Sequence, residues 1–185
     1  MTDAAAKVYE RLLILRCQAG DQAALAELIA RYSPALRLYL RKLARQSSAD
    51  DLLQETWFDT YRKINRLKNP DAFSAWIYRI ARDKAYRELR RCRAAYPADQ
   101  DLSESIAIEE PDFSLDDTDA IRAAMDELPA EQCEVLLLRF VEQMSYEEIA
   151  QVIGRPVGTV RSRIHYAKLA LREKLEAGRD VSRRS

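Results

Sequence analysis

The sequence predicts an all-α protein built as two small helical bundles joined by an acidic linker, the C-terminal bundle a helix-turn-helix. Three observations carry this. Apolar residues recur at three- and four-residue spacing along most of the chain, and nothing alternates as a strand would. The formal net charge of zero conceals an uneven distribution: residues 1–91 carry 18 Lys/Arg against 11 Asp/Glu, residues 92–120 one arginine against nine acids, and residues 121–185 11 against 10. The acidic strip also holds Pro97, Pro111, Ser103, Ser105 and Ser114 with little helical periodicity, which suits a linker. The expected division is 1–92, 93–119 and 120–185. A solvated tether and a strip lying in a partner's basic channel both fit the linker.

In the first block, Leu25, Leu28, Ile29 and Tyr32, then Leu36, Tyr39, Leu40 and Leu43, then Leu53, Trp57, Thr60, Tyr61 and Ile64 mark three amphipathic helices. Pro34 is expected to break or kink the first pair, and Ser47-Ser48-Ala49-Asp50 offers caps for the third. A fourth helix should start near Asp71, after Asn69-Pro70, and bury Phe73, Ile77, Ile80, Ala81 and Ala85 before ending about Arg91. In the last block, Ile121, Ala124, Met125 and Leu128 form one stripe, and Pro129 suits the first turn of the next helix, with Val135, Leu136, Leu138 and Phe140. Two more helices follow, at Ser145–Ile153 and about Val157–Ala177.

Composition narrows the function. With 48% apolar and 32% charged residues the chain can bury a core and stay soluble. No run approaches the roughly 20 apolar residues that span a bilayer, and Met1 to Arg11 lacks the order of a signal peptide, so the expected location is the cytoplasm without membrane insertion. Cys17, Cys92 and Cys133 are scattered and His165 is the only histidine, which argues against a zinc site and a Ser-His-Asp triad. Four glycines, Gly20, Gly154, Gly158 and Gly178, cannot spell a P-loop or a dinucleotide fingerprint. No catalytic residue, metal or cofactor is expected.

The sharpest motif begins at Ser145. Ser145 and Glu148 have the spacing of a capping box, Ile149, Ala150 and Ile153 should face inward, and Gly154 can take the left-handed conformation that ends a helix. Val160, Ile164, Ala167 and Leu171 then give the second helix its buried stripe. Its opposite face should offer Thr159, Arg161, Ser162, Arg163, His165, Tyr166 and Lys168 to DNA phosphates and base edges. A second candidate surface lies on the fourth helix. There the run from Trp76 interleaves aromatics with Arg79, Arg82, Arg87, Arg90 and Arg91, joined by Lys84, the combination that stacks unpaired bases and tracks their backbone. Trp76 taken alone fits the core more readily than a base platform. Asp50, Asp51, Gln54 and Glu55 make an acidic helix start, which suits the helix dipole and equally a basic protein surface.

Read together, these segments resemble a bacterial RNA polymerase sigma factor of the extracytoplasmic-function group. The resemblance rests on Ala19-Gly-Asp-Gln-Ala-Ala-Leu-Ala-Glu-Leu, Ala49-Asp-Asp-Leu-Leu-Gln-Glu-Thr-Trp, Phe73-Ser-Ala-Trp-Ile-Tyr-Arg-Ile-Ala-Arg, Leu128-Pro-Ala-Glu-Gln, Ser145-Tyr-Glu-Glu-Ile-Ala and Pro156-Val-Gly-Thr-Val-Arg-Ser-Arg, in family order over nearly the whole chain. It implies that residues 1–92 form the domain for polymerase docking and minus-ten melting, and 120–185 the domain for the minus-thirty-five element. Asp50, Asp51, Gln54 and Glu55 would then face the clamp helices of core RNA polymerase. The loop from Lys68 and Asn69 to Ser74, with Trp76, Arg79, Arg82, Asp83, Arg87 and Arg90, would handle the melted non-template strand, where a base is flipped into a pocket. Arg161, Ser162, His165 and Tyr166, with Arg163, would read duplex DNA, and Thr159 and Arg155 would lie nearer its phosphates. The acidic linker would thread the cleft and RNA-exit path of the polymerase. An anti-sigma factor is implied as a further partner.

Three positions depart from the family pattern: Asp83 where Asn is common, Arg87 where a polar or acidic residue is common, and Cys133 where Arg is common. His165-Tyr166 also replaces a more usual aromatic-or-His then Arg pair. The competing readings are a helix-turn-helix regulator whose first half senses a ligand or dimerises, and a helical hydrolase using Asp50 and Asp51. Adjacent residues on a helix diverge by about 100°, which suits that carboxylate pair poorly to one site.

Overall fold

The computed structural model describes residues 3–44, 48–93 and 118–182, and the regular structure among them is helical throughout. Most of the acidic linker, with the residue Ser47, lies outside the described residues. Two compact units divide the chain, one within Met1–Pro97 and one after it. The first unit holds α1 (Asp3–Gln18), α2 (Gln22–Leu43), α3 (Ala49–Lys63) and α4 (Phe73–Arg93), with single 3₁₀ turns at Ile64–Arg66 and Pro70–Ala72.

Helix α1 carries no signal that periodicity marks, because it is apolar on two sides. Leu13, Ile14 and Cys17 are buried while Val8, Leu12 and Leu15 lie exposed, so no single stripe stands out. Its end is tied to the start of α2. Asp21 caps α2 by accepting from the backbone of Ala23 and Ala24 at 2.9 and 3.2 Å, while its other oxygen takes Arg16 at 2.6 Å. The Arg16 bond, then those backbone bonds, hold this carboxyl below its ordinary range.

Pro34 does not break α2, which runs unbroken to Leu43. A proline removes one N–H and leaves the carbonyl four residues earlier without its helical partner. That residue, Ala30, is exposed, so water can serve the carbonyl. The side chain next to the proline is used instead: Ser33 accepts from the Trp57 indole at 3.0 Å and joins α2 to α3. In the core, Tyr39 meets Tyr78 edge-on at 5.1 Å, and Tyr32 meets Phe73 at 5.3 Å. The Tyr32 hydroxyl donates to Glu10 at 2.6 Å and also bonds Ser74, and burial pushes its ionisation well above the ordinary range. One side chain thus joins α1, α2 and α4. Tyr61, expected in the apolar stripe of α3, is 59% exposed.

The second unit holds α5 (Thr118–Asp126), α6 (Ala130–Leu136), α7 (Tyr146–Ile153) and α8 (Val157–Ser182). Pro129 stands just before α6 as its cap rather than inside its first turn. Helix α6 continues into a π-helical turn at Leu137–Val141, closed by Glu142 N–H to Leu137 C=O at 3.0 Å. The wider turn shifts the faces of the helix by one residue. Phe140, expected inward, is therefore 47% exposed, and the Lys168 ammonium lies 5.1 Å from its ring centre. Cys133 is fully buried in α6, so a small apolar side chain fills the core where the family pattern has arginine. Cys17 is also a buried free thiol, and burial pushes its ionisation up.

The capping box at Ser145 is present in full: Ser145 accepts from Glu148 N–H at 3.2 Å, and Glu148 accepts from Ser145 N–H at 2.8 Å. Gly154 ends α7 at φ 67°. Ala150 is half-buried rather than enclosed. Replacing a capping serine by alanine costs about 1 kcal/mol. Ser145→Ala should accordingly lower the calorimetric transition of the second unit by about 4–8 °C and leave that of the first unit in place. An unmoved transition would show that the box does not hold α7.

Candidate polymerase and nucleic-acid interfaces

Helix α3 is divided sharply between two faces. Leu52, Leu53, Thr56, Trp57 and Thr60 are buried, the two threonines satisfied by bonds to the carbonyls of Leu52 and Thr56 at 2.7 and 2.8 Å. The opposite row holds Asp51, Gln54, Glu55 and Phe58, all exposed, and these line an open hollow of about 570 Å³ whose fifth wall is Lys84. Asp50 stands beside the row and pairs with Arg37 at 2.8 Å. Ser48, as expected, caps the helix by accepting from Asp51 N–H.

Phe58 is the member of this face that sequence reasoning missed. The signal existed, because a buried Trp57 turns the next side chain about 100° away, toward solvent. Phe58 is 61% exposed and has the Arg62 guanidinium 5.5 Å from its ring centre.

Lys84 does not join the arginines of α4. It is 7% exposed and reaches Glu55 at 3.2 Å and Asp59 at 3.1 Å, while Lys63 takes Asp59 at 3.2 Å. Burying an ammonium costs several kcal/mol unless opposite charges compensate it, and here two carboxylates do. The hydrogen bond from Lys84, ahead of that from Lys63, holds Asp59 below its ordinary range.

The solvent side of α4 presents Arg79, Asp83, Arg87 and Arg90, spaced by one turn each and all exposed. Arg82 lies off this row, half-buried, its guanidinium 4.3 Å from the centre of the Tyr86 ring. Trp76 is half-buried and tilted against Phe73 at 6.0 Å. Ser74 is half-buried on Tyr32, so its hydroxyl serves the core bond described above. The loop before α4 exposes Lys68 and Asn69, and Asn69 caps the following turn through Asp71 N–H at 3.0 Å. Gln18 of α1 fixes this loop from below, donating to Ile64 C=O and Leu67 C=O at 2.9 and 2.8 Å.

On the second unit the expected DNA face is only partly presented. Arg155 and Arg161 are exposed, and Thr159, His165 and Tyr166 half-buried, the last two edge-on at 5.5 Å. Ser162 is buried, its hydroxyl donating to Thr159 C=O at 3.1 Å, as short helical side chains often do. Arg163, with its side chain 14% exposed, pairs with Glu131 of α6 at 3.3 Å. Lys168 is 4% exposed. These three residues face the bundle rather than solvent because the buried stripe of α8 is wider than its four apolar positions. Two unanticipated residues, Arg139 and Tyr146, join the face instead: the Tyr146 ring centre lies 5.0 Å from the Arg139 guanidinium and 5.6 Å from that of Arg161.

Known proteins share this organisation. The family model for sigma-70 region 2 matches residues 28–95, and that for sigma-70 region 4 matches residues 118–171. RNA polymerase sigma-H factor of Pseudomonas aeruginosa is 34% identical over 90% of this chain and 94% of its own. The ECF RNA polymerase sigma factor SigW of Bacillus subtilis is 28% identical over 88% of this chain and 94% of its own. Among solved structures, CnrH in complex with the cytosolic domain of CnrY superposes with a TM-score of 0.67 at 27% identity, covering 91% of this chain and 97% of that one. The sigma factor RpoE bound to the anti-sigma factor NepR, from Bartonella quintana, gives 0.64 at 29% identity over 82% and 96%.

The Lys84 cluster makes a pH signature testable. A carboxylate whose folded pKa is depressed stabilises the fold above its unfolded value and loses that contribution as pH falls through the folded value. Stability of the first unit should therefore fall as pH drops from about 5 to 3, either side of an unfolded value near 3.9. Lys84→Met, lacking the first donor to Asp59, should fall less over that window in urea unfolding. Equal slopes for the two proteins would sink the assignment.

Proposed function

We propose, from the premise that this chain belongs to the sigma-70 family of RNA polymerase sigma factors and to its extracytoplasmic-function group, a division of labour among its residues. A protein of this family binds core RNA polymerase, directs it to specific promoters and helps initiate transcription. In our reading the polymerase performs the chemistry in the cytoplasm, and this chain supplies recognition.

Asp51, Gln54 and Glu55, with Asp50 alongside and Phe58 between charge and apolar surface, dock on the clamp helices of core polymerase. Charge attracts a basic partner over distance, and the aromatic ring contributes area that water leaves on binding. The row of Arg79, Asp83, Arg87 and Arg90, with Lys68 and Asn69 in the loop pinned by Gln18, holds the melted non-template strand at the minus-ten element. Arginines on such a row match phosphates one turn apart, and Asp83, one turn from both Arg79 and Arg87, tempers their charge. In the second unit Arg161, His165 and Tyr166 face base edges of the minus-thirty-five duplex, and Arg155 and Thr159 its phosphates. Ser162, bonded within α8, and Arg163, which ties α8 to α6, do not read DNA. Among the described residues no helix is long and apolar enough to cross a membrane.

One observation carries this reading. An acidic, aromatic face on α3 and an arginine row on α4 belong to helices locked together by Lys84, in the same chain as a capped helix-turn-helix. The solved relatives supply a further partner: RpoE was captured with an anti-sigma factor. A protein of that kind covering the α3 face would keep this chain from the polymerase.

Run-off transcription with purified bacterial core polymerase and a pool of promoter fragments tests the whole reading. Initiation from a defined start that requires the chain is the expected result. Duplex binding without polymerase binding would hand the function to an ordinary helix-turn-helix regulator. Asp51→Ala should weaken holoenzyme formation about two- to fivefold, as expected for one exposed charge, with the fold intact. Arg161→Ala should cost about 1–3 kcal/mol of discrimination at one upstream base pair. Wild-type values in either variant would remove that residue from its surface.

A further inference from the structure

The turn before α7 is built with care. Gln143 takes a left-handed φ of 54°, a conformation that a residue with a side chain rarely adopts. The Arg139 guanidinium closes the turn by donating to Met144 C=O at 3.0 Å. The capping box then fixes the backbone of Ser145, so Tyr146 enters α7 on a rigid base. Its ring lies 5.0 Å from the Arg139 guanidinium and 5.6 Å from that of Arg161 on α8. Both distances fall within the range at which the negative face of an aromatic ring attracts a cation.

We propose that Tyr146 is a positioning residue for Arg161, so that sequence discrimination in the upstream promoter element depends on a ring that reads no base itself. This rests on the reading of Arg161 as a base reader given above. An exposed arginine samples many rotamers, whereas two parallel hydrogen bonds to a base select one. Stacking on a ring that Arg139 also contacts removes part of that freedom before DNA arrives, and binding then loses less entropy. Arg139 and the Gln143 turn hold the ring where this works. A ring that only filled space, or a hydroxyl that only touched a phosphate, would affect every DNA sequence alike.

The test uses holoenzyme and the promoter fragment that wild-type holoenzyme selects from a randomised pool, together with single base-pair substitutions of its upstream element. Arg161→Ala should lose preference at one base pair. Tyr146→Leu should lose about two- to fivefold of the preference at that same base pair and little elsewhere, and Tyr146→Phe should keep it. An even loss of affinity across all fragments in Tyr146→Leu, or a loss in Tyr146→Phe equal to that in Tyr146→Leu, overturns the proposal. Unchanged preference in Arg161→Ala overturns it differently, by removing the reading of Arg161 on which it stands. Should Tyr146→Leu fold poorly, side-chain nitrogen relaxation on the free wild-type chain decides. The Arg161 Nε should be more ordered than that of Arg87, an exposed arginine of α4, and equal mobility of the two overturns the proposal.

Discussion

The buried ammonium of Lys84 is the constraint on which the first unit turns. It cannot leave Glu55 and Asp59 without stranding a charge in a poorly hydrated place, so α3 and α4 hold one relative register. That register matters because each helix also carries a row of side chains that faces solvent. Glu55 neutralises Lys84 and also belongs to the outward row of α3, and α4 turns its arginine row away from the same contact. The acidic face of α3 and the arginine row of α4 are thereby held in register. The remaining helices serve this pair: α2 takes the Trp57 indole through Ser33, and α1 clamps the loop before α4 through Gln18.

The second unit solves a related problem with charge near DNA. A helix bearing many cations on all sides would bind any polyanion in any orientation. Here several cations of α8 are committed to the protein, Arg163 to Glu131, Lys174 to Glu127 at 2.8 Å, and Lys168 near the Phe140 ring. Among the described residues Arg161 meets the Tyr146 ring rather than a carboxylate. The π-helical turn contributes by rotating Phe140 outward to meet Lys168. A regular α-helix would have buried that ring and left the ammonium differently placed.

Much of this was legible in the residues. The helix starts at Ser48 and Ser145, the left-handed glycine at position 154 and the core stripes of α4 and α8 follow from local chemistry, and local chemistry is what a sequence displays. Four kinds of feature were not. Helix α1 hid because both of its sides are apolar. Pro34 promised an interruption that the exposed Ala30 carbonyl made unnecessary. Lys84 and Arg163 carry polar atoms that suggest solvent or nucleic acid, yet their places are decided by partners on other helices, Glu55 and Glu131, far away in sequence, and Ser162 and Lys168 are buried with the face of α8 that meets the bundle. The π-helical turn likewise depends on backbone bonds that no side-chain pattern announces.

The two buried thiols bear on how the protein meets its chemical surroundings. Cys17 lies buried in the last turn of α1, where burial pushes its ionisation up, and Cys133 of α6 is fully enclosed. Thiol oxidation and alkylation proceed through the exposed thiolate, which neither residue offers. Peroxide or electrophile stress would therefore leave these two sites untouched while the fold persists, and any thiol-borne signal acting through them would have to unfold a helix first. The same reticence is useful at the bench: a maleimide dye directed to an engineered surface cysteine would meet little competition from either position.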